Sequence, residues 1–361
     1  MTVRTINQRT TDTAGPRGQC ITRGFYNNAA GGRVTAMTGT EQRSAVLPGE
    51  LAGQRLDAAL ARVFAEYSRS QLNQWLREGL LTVDGGQPKP KTTVRGGEEV
   101  HLTVPGLPES ASRAEAIDLD VVHADAAIIV VNKPAGLVVH PAAGHPSGTL
   151  VNALLHFAPE LAALPRAGIV HRLDKGTTGL LVIARTPAAR TSLVRQLQQR
   201  SVHREYRALV RGLPISGGTI DRPIGRHPVD RKRMAVVSGG RPAVTHYRIL
   251  RRLRAHTLVA VRLDTGRTHQ IRVHMAQVGH PVVGDPTYGG RPRPVRGMPE
   301  AAAQALAAFR RQALHAAVLG LVHPVTGAEC RFEAPLPADF QALLDVLELD
   351  AAAMETSGGR P

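Results

Sequence analysis

The sequence predicts an α+β protein of two domains, the larger of which is built on a mixed, largely antiparallel sheet. Three observations lead to this prediction. Short apolar runs bounded by Gly, Pro, Asn or Asp recur along the chain and are typical of buried strands. Helical periodicity is confined to short segments that stand singly between these runs. A stretch rich in Pro and Ser, residues 106–112, is a linker by composition and separates the two domains.

The beginning of the chain differs in composition from the rest of the sequence. Residues 1–45 are rich in Gly, Thr, Asn and Arg, show neither helical nor strand periodicity, and are predicted to be a disordered tail. Met37 opens a second plausible start of translation. We therefore expect the segment before Met37 to be absent from the native protein.

Residues 46–105 are predicted to form a small domain of two helices followed by strands. Leu56, Leu60 and Phe64 share one face of the first helix. The second helix is predicted to be capped by Ser68 and to end at Gly79. The strands are predicted at 80–83 and 100–104, with Lys89, Lys91 and Arg95 on the connection. This order of elements resembles the S4 RNA-binding domain, and a small helical docking domain is the alternative.

Residues 113–349 are predicted to form the larger domain, and residues 350–361 a disordered C-terminal tail. A strand at 127–131 and a returning strand at 137–141 are predicted to pair as a hairpin. Residues 289–299, basic and rich in Pro, are predicted to be a mobile loop. The other predicted elements are strands at 179–184, 204–211, 244–250, 256–263, 314–322 and 328–333, and helices at 149–155, from Thr186-Pro187 onward, 268–278, 300–312 and 337–348.

The charge of the chain is strongly positive and concentrated in one stretch. Lys and Arg number 45 against 29 Asp and Glu, a formal net charge of +16. Residues 185–272 alone hold 20 Lys and Arg and four acidic residues, so this stretch accounts for the whole net charge. Such a stretch would pair with phosphates, and we expect the partner to be RNA recognised by its shape and backbone.

Composition also excludes several classes of protein. No apolar run is long enough for a transmembrane helix, so we expect no membrane partner. The chain starts without the apolar core of a secretory signal, and its two cysteines, Cys20 and Cys330, provide no disulfide framework. A cytoplasmic monomer is the default expectation. Neither the spacing of His269 and His274 nor that of His140 and His145 suits a metal site, and we expect none.

The strongest local motif is His171-Arg172-Leu173-Asp174-Lys175-Gly176-Thr177-Thr178-Gly179, a polar loop between two apolar strands. Polar atoms at strand ends are where sites are usually built. On its own, the loop is explained better as a turn that Asp174 begins. Arg-Leu-Asp also occurs at 55–57 and 262–264, so only the wider context carries weight.

That context resembles the RluA-type pseudouridine synthases, and most closely the RluD branch, which acts on large-subunit ribosomal RNA. The resemblance covers residues 50–345 and rests on five ordered blocks: 132–141, 171–179, 203–210, 266–274 and 279–289. It implies that Asp174 is the catalytic aspartate, that Tyr206 stacks on the target base, and that Arg272 is the basic partner of Asp174. It also implies that Arg172 enters the RNA helix where the base has left, and that Leu314 forms the apolar floor under the uracil.

The reaction explains these residue types. The N-glycosidic bond of uridine must break, the uracil must turn, and its carbon 5 must join ribose C1′, which needs no redox cofactor or group donor. An adjacent carboxylate stabilises or traps an electron-poor glycosidic carbon, as in retaining glycosidases. A nearby guanidinium keeps that carboxylate ionised, and an aromatic face offsets part of the cost of extracting the base. The residues do not decide between a covalent acylal at C1′ and proton abstraction at C2′.

Two other functions remain open from the residues alone. A catalytically inactive RNA-binding or ribosome-assembly protein would use the same S4-like domain and basic stretch. A glycoside hydrolase would need a second carboxylate near the loop, and it would not explain the charge. The complete set of Asp174, Tyr206 and Arg272 favours a synthase acting on 23S ribosomal RNA or on a precursor of the large subunit.

Overall fold

The computed structural model describes residues 41–64, 67, 69–104, 112–142, 144–230, 232–290 and 295–356. The predictions about Met37 and about the Ser68 cap lie outside these residues, as do those about most of the N-terminal tail, the linker and the end of the C-terminal tail. Among the described helices, none is both long enough and apolar enough to cross a membrane.

The N-terminal unit is a three-stranded antiparallel sheet covered by two helices. Its elements are β1 (Glu41–Val46), α1 (Leu56–Val63), α2 (Arg69–Glu78), β2 (Leu81–Val83) and β3 (Glu99–Val104), and the strand order is β1-β3-β2. Gly79 has φ +76°, the left-handed conformation predicted for the residue that ends α2. The predicted beginning of this unit at residue 46 is wrong, because β1 pairs with β3 from Glu41↔Val104 to Val46↔Glu99.

The core of this unit joins the helices to the sheet. Leu60 and Leu72 from the helices and Leu102 from β3 lie in one buried cluster. Trp75, the single tryptophan of the chain, packs edge-on against Tyr67 with ring centroids 4.9 Å apart. The apolar residues that are spaced at helical intervals in the sequence therefore do face a core.

The C-terminal unit is built on one large sheet. The strand order is β4-β5-β6-β13-β7-β12-β11-β8, with β14 paired to the far half of β13, and a separate two-stranded ribbon joins β9 to β10. The strands are β4 (Val121–Ala124), β5 (Ile128–Lys133), β6 (Thr178–Ala184), β7 (His203–Arg211), β8 (Gly218–Asp221), β9 (Ile224–Arg226), β10 (Met234–Val236), β11 (Val244–Arg252), β12 (His256–Leu263), β13 (Leu314–Val322) and β14 (Glu329–Glu333).

The sheet is mixed and largely antiparallel, as predicted. Its one described parallel pairing joins β6 to β13 over two residue pairs, His315↔Thr178 and Ala316↔Gly179. Successive residues of β5 and β6 alternate between two buried clusters on opposite faces of the sheet. This double burial explains why these strands are uninterrupted apolar runs in the sequence.

Helices cover both faces of this sheet. They are α3 (Leu150–Phe157), α4 (Pro187–Gln198), α5 (Gln270–Gln277), α6 (Glu300–Ala308) and α7 (Ala338–Thr356). Leu193 of α4 packs on one face, and Leu154 of α3 and Phe340 of α7 pack on the other. Thr186 caps α4 by accepting a hydrogen bond from Ala189 N at 3.1 Å, as the Thr-Pro pair predicted.

The predicted hairpin between 127–131 and 137–141 is wrong. Strand β5 pairs with β4 and β6, whereas Val138 makes a single parallel bridge to Thr149. The buried Nζ of Lys133 donates to the carbonyl oxygens of Pro134, Leu137 and Lys175 at 2.7, 3.0 and 3.3 Å. These bonds wrap the chain around the ammonium group, so the chain does not return as a strand after Lys133.

Two predicted helix ends are also wrong. Helix α6 ends at Ala308 rather than at residue 312. Helix α7 continues to Thr356, so residues 350–356 do not belong to a disordered tail. The extra turns of α7 are held because Asp350 pairs with Arg254, with Nε 2.8 Å from Oδ2, and because Ala351 is buried.

Candidate active site

The loop that carries Asp174 is shaped by the close approach of β6 to β13. Gly179 has φ +110°, and a Cβ atom there would lie 2.3 Å from the carbonyl oxygen of Ala316. Thr177 N donates to Asp174 O at 3.0 Å, so Asp174 does begin a turn. The turn and the site are therefore compatible interpretations of one motif.

Asp174 and Arg272 lie 98 residues apart in the chain and meet as an ion pair. Arg272 Nη1 donates to Asp174 Oδ2 at 3.0 Å. The Asp174 side chain is 18% exposed and the Arg272 side chain 5%. The pair is thus shielded from bulk water while one edge of the carboxylate still faces a cavity.

A second carboxylate holds the other edge of Arg272. Arg272 Nε and Nη2 donate to Asp285 Oδ2 and Oδ1 at 2.6 and 2.9 Å. Burial would lower the pKa of Arg272, but hydrogen bonds to Asp285 and the two carboxylate charges raise it above its ordinary value. Burial likewise would raise the pKa of Asp285, and Arg272 holds it below the usual range. The guanidinium is fixed by Asp285 and directed at Asp174.

His269 approaches the other oxygen of Asp174. Its Nε2 lies 3.8 Å from Asp174 Oδ1, and its Nδ1 lies 2.9 Å from Tyr288 Oη. Tyr288 Oη already accepts from Met234 N at 2.8 Å, so its own proton is available to His269 Nδ1. This pairing leaves the ring proton on Nε2, facing Asp174. Burial lowers the pKa of His269, so the ring is neutral near neutral pH.

The remaining predicted residues surround the same carboxylate. Tyr206 lies on β7 between Val261 of β12 and Ala316 of β13, and burial raises the pKa of its phenol. Leu314 opens β13 and is buried, whereas Arg172 is exposed. A cavity of about 50 Å³ is lined by all five: Arg172, Asp174, Tyr206, Arg272 and Leu314.

A much larger cavity, of about 810 Å³, adjoins the small one and shares Arg172, Asp174 and Tyr206 with it. Its wall is basic, with side chains of Arg166, Arg200, Arg204 and Arg267. Such a cavity can take a polyanionic ligand next to the carboxylate. Within the described residues, no three His, Cys, Asp or Glu side chains are grouped so that they could hold a metal ion.

Comparison with known proteins agrees with this geometry. A family profile described as RNA pseudouridylate synthase matches residues 127–277, and the S4 domain profile matches residues 54–100. The protein named ribosomal large subunit pseudouridine synthase D of Pseudomonas aeruginosa is 54% identical over 312 residues, which are 86% of this chain and 98% of that protein. The chain belongs to the pseudouridine synthase family.

Two further comparisons extend the match. The protein of the same name from Escherichia coli K12 is 53% identical over 299 residues, 82% of this chain and 92% of that protein. The solved structure titled human RNA pseudouridylate synthase domain containing 4 aligns with TM-score 0.50 and 27% identity, over 63% of this chain and 92% of that one. The resemblances to a pseudouridine synthase and to an S4 domain are confirmed.

Sequence reasoning missed three residues of this candidate site. Asp285, Tyr288 and His269 lie in two of the blocks that carried the family resemblance, but no role was assigned to them. Their importance comes from contacts through space, and a local pattern does not reveal these. The one available signal was the run Gly284-Asp285-Pro286-Thr287-Tyr288, in which an acid is followed by backbone N–H groups free to bind it.

Proposed function

We propose that this synthase isomerises specific uridines of large-subunit ribosomal RNA to pseudouridine, with Asp174 acting at ribose C1′. The observation that supports this most is the setting of Asp174. Its Oδ2 accepts a hydrogen bond from Arg272, and among the described residues the nearest donor to Oδ1 is His269 Nε2 at 3.8 Å. One oxygen is held, the other has no close donor among the described residues, and Asp174 lines both cavities, as a reaction at C1′ requires.

The proposed reaction conserves all atoms of the uridine. The C1′–N1 bond breaks and the uracil leaves with the bonding electrons, while Asp174 stabilises the electron-poor ribose. The uracil turns, C5 bonds to C1′, and the proton on C5 is lost as N1 gains one. The geometry suits a covalent acylal through Oδ1 as well as proton abstraction at C2′, and both routes need an ionised Asp174.

The neighbours of Asp174 suit the handling of an extracted base. We propose that Tyr206 stacks on the uracil and that Leu314 forms the floor beneath it, because both line the small cavity beside the carboxylate. Arg172 is exposed at the rim of both cavities, where it could fill the gap left in the RNA. We propose that role for Arg172.

The choice of RNA rests on the relatives and on charge. The relatives named above are large-subunit pseudouridine synthases, and the S4 match supplies a second RNA-binding unit. We propose 23S ribosomal RNA or a precursor of the large subunit as substrate, and a cytoplasmic monomer as the active form. An inactive RNA-binding or assembly protein is not favoured, because it would not need Asp174, Tyr206 and Arg272 around one cavity.

The experiment compares the wild type with Asp174→Asn on large-subunit ribosomal RNA that lacks pseudouridine. Carbodiimide adducts followed by primer extension should give stops with the wild type and none with the variant, at unchanged RNA affinity. Asp264→Asn is a matched control: it lies in another Arg-Leu-Asp sequence, lines the larger cavity and pairs with His246. It should retain turnover. Stops with Asp174→Asn would refute the assignment.

A further inference from the structure

Arg204 is a buried arginine that has no partner among the described residues. The residue is 8% exposed, and its Nε is enclosed and has no hydrogen-bond partner within the same part of the chain. Within the described part of the chain, its guanidinium makes neither a hydrogen bond nor an ion pair. An arginine side chain stays charged throughout the range of pH in which proteins are folded, so the charge cannot be avoided by losing a proton.

The other buried charged side chains of the described residues are all paired. Asp57 bonds Arg55 and Arg69, Asp350 bonds Arg254, and Arg272 and Asp285 bond each other. Lys133 donates to three carbonyl oxygens. A charge buried without a partner costs several kcal/mol, so Arg204 is an exception that needs a reason.

The position of Arg204 gives that reason. It lies two residues before Tyr206 on β7 and so projects from the same face of the strand, and it lines the larger cavity. Gly266 lies directly against it, since a Cβ there would be 3.0 Å from Arg204 Nη1. Glycine at this position leaves room for the guanidinium beside the reaction site.

His171 adds a neutral donor to the same wall. Its Nε2 accepts from Val182 N at 3.1 Å, which places the ring proton on Nδ1. Burial, with a smaller contribution from Arg204, lowers the pKa of His171 to about 3, so the ring does not add a second positive charge. The carboxylates on this wall are already paired, Asp174 with Arg272 and Asp264 with His246.

We propose that Arg204, with His171, forms a binding site for a phosphodiester group of the RNA strand next to the extracted uridine. The proposal rests on the proposed function for the identity of the ligand, because phosphodiesters are the anionic groups of an RNA substrate. The bound phosphate is the missing partner of the buried guanidinium. It fixes the strand on the Tyr206 side of Asp174, so the site positions the substrate and takes no part in bond breaking.

The test replaces Arg204 by Met, which keeps most of the volume and removes the charge. Without RNA, Arg204→Met should unfold at the same or a higher temperature than the wild type, because an unpaired buried charge has been removed. RNA affinity should fall about tenfold to a hundredfold, as loss of a charge-assisted contact implies, and KM should rise with kcat largely kept. The slope of log affinity against log salt should decrease by about one.

Inorganic phosphate supplies a readout that does not depend on which RNA is modified. At constant ionic strength it should raise the Tm of the wild type and leave that of Arg204→Met unchanged. Arg200→Met is a matched control from the exposed rim of the same cavity, and it should keep the response to phosphate.

The outcomes separate this proposal from the proposed function. Equal responses of wild type and Arg204→Met to phosphate, or unchanged RNA affinity and salt slope, would overturn the phosphate site even if Asp174→Asn is inactive. A lower Tm in Arg204→Met would show that Arg204 serves the fold and would overturn it as well. A rise of Tm with phosphate that is lost in Arg204→Met and kept in Arg200→Met would support the site even if ribosomal RNA were not modified.

Discussion

Replacing Asp285 by Asn should disrupt the ion-pair network behind Asp174 while leaving the shape of the side chain intact. Four donors converge on this carboxylate, whose side chain is 0% exposed. Oδ2 accepts from Arg272 Nε, and Oδ1 accepts from Arg272 Nη2, Thr287 N and Tyr288 N. An amide can place its oxygen at Oδ1, but its NH₂ group then faces the Nε–H of Arg272, donor against donor.

The structure sets the size of the expected effect. Removing one partner of a buried ion pair costs about 3–5 kcal/mol. In a unit of this size, about 1 kcal/mol changes Tm by roughly 2–4 °C, so Asp285→Asn should lower Tm by roughly 6–20 °C. Activity should fall about a hundredfold, because Arg272 loses the group that fixes its position against Asp174.

The assay combines unfolding in denaturant with single-turnover formation of pseudouridine, both measured on the full chain. Glu333→Gln is a suitable control, because it breaks the ion pair with Arg331 on the surface, where both side chains are more than half exposed. That change should cost less than about 1 kcal/mol. If Asp285→Asn costs no more than Glu333→Gln, the buried pair does not hold Arg272 as the geometry indicates.

Two further predictions concern the loops around Asp174. Gly179→Ala should destabilise the fold by about 2–5 kcal/mol in denaturant, because it combines positive φ with a clash against Ala316. The control Gly136→Ala, where φ is also positive but the added Cβ meets open space, should cost about 1–2 kcal/mol. Equal costs of the two substitutions would refute the clash. Burial lowers the pKa of Lys133 to about 8 in the folded protein, against 10.5 for an ordinary lysine. Between pH 8 and pH 10.5 the unfolded chain binds more protons than the folded protein does. The free energy of unfolding of the wild type, relative to that of Lys133→Met, should therefore rise by about 3 kcal/mol over this range. A difference between the two proteins that does not change with pH would contradict this.

The sequence could predict the strands and the location of the site, but not the pairing of buried charges. Apolar runs such as 128–131 are visible because double burial leaves no polar residue in them. Arg-Leu-Asp shows the limit: Asp57 pairs with Arg55 within the tripeptide, whereas Asp174 pairs with Arg272 across 98 residues. The tripeptide sequence is the same in both places, and the fold decides which arginine each aspartate pairs with.

The predictions of the hairpin and of the end of α7 were wrong for a similar reason. The residues of 137–141 suit a strand and so predict a hairpin, but the buried ammonium of Lys133 overrides that preference. The end of α7 escapes prediction because Arg254, which holds Asp350, is 96 residues away. The five predicted site residues line one cavity, and their individual roles stay predictions.

The place of β13 in the sheet constrains how the protein is made. Strands β6 and β7 are separated in the chain only by α4 and its connections, yet β13 lies between them in the sheet. About 100 residues must be translated after β7 before β13 exists, which takes about 5–20 s. Until then the halves of the sheet expose unpaired edges, and the wall that Leu314 contributes to the cavity is missing. A nascent chain therefore cannot assemble this cavity until β13 has been translated, and chaperones have that interval in which to bind the open edges.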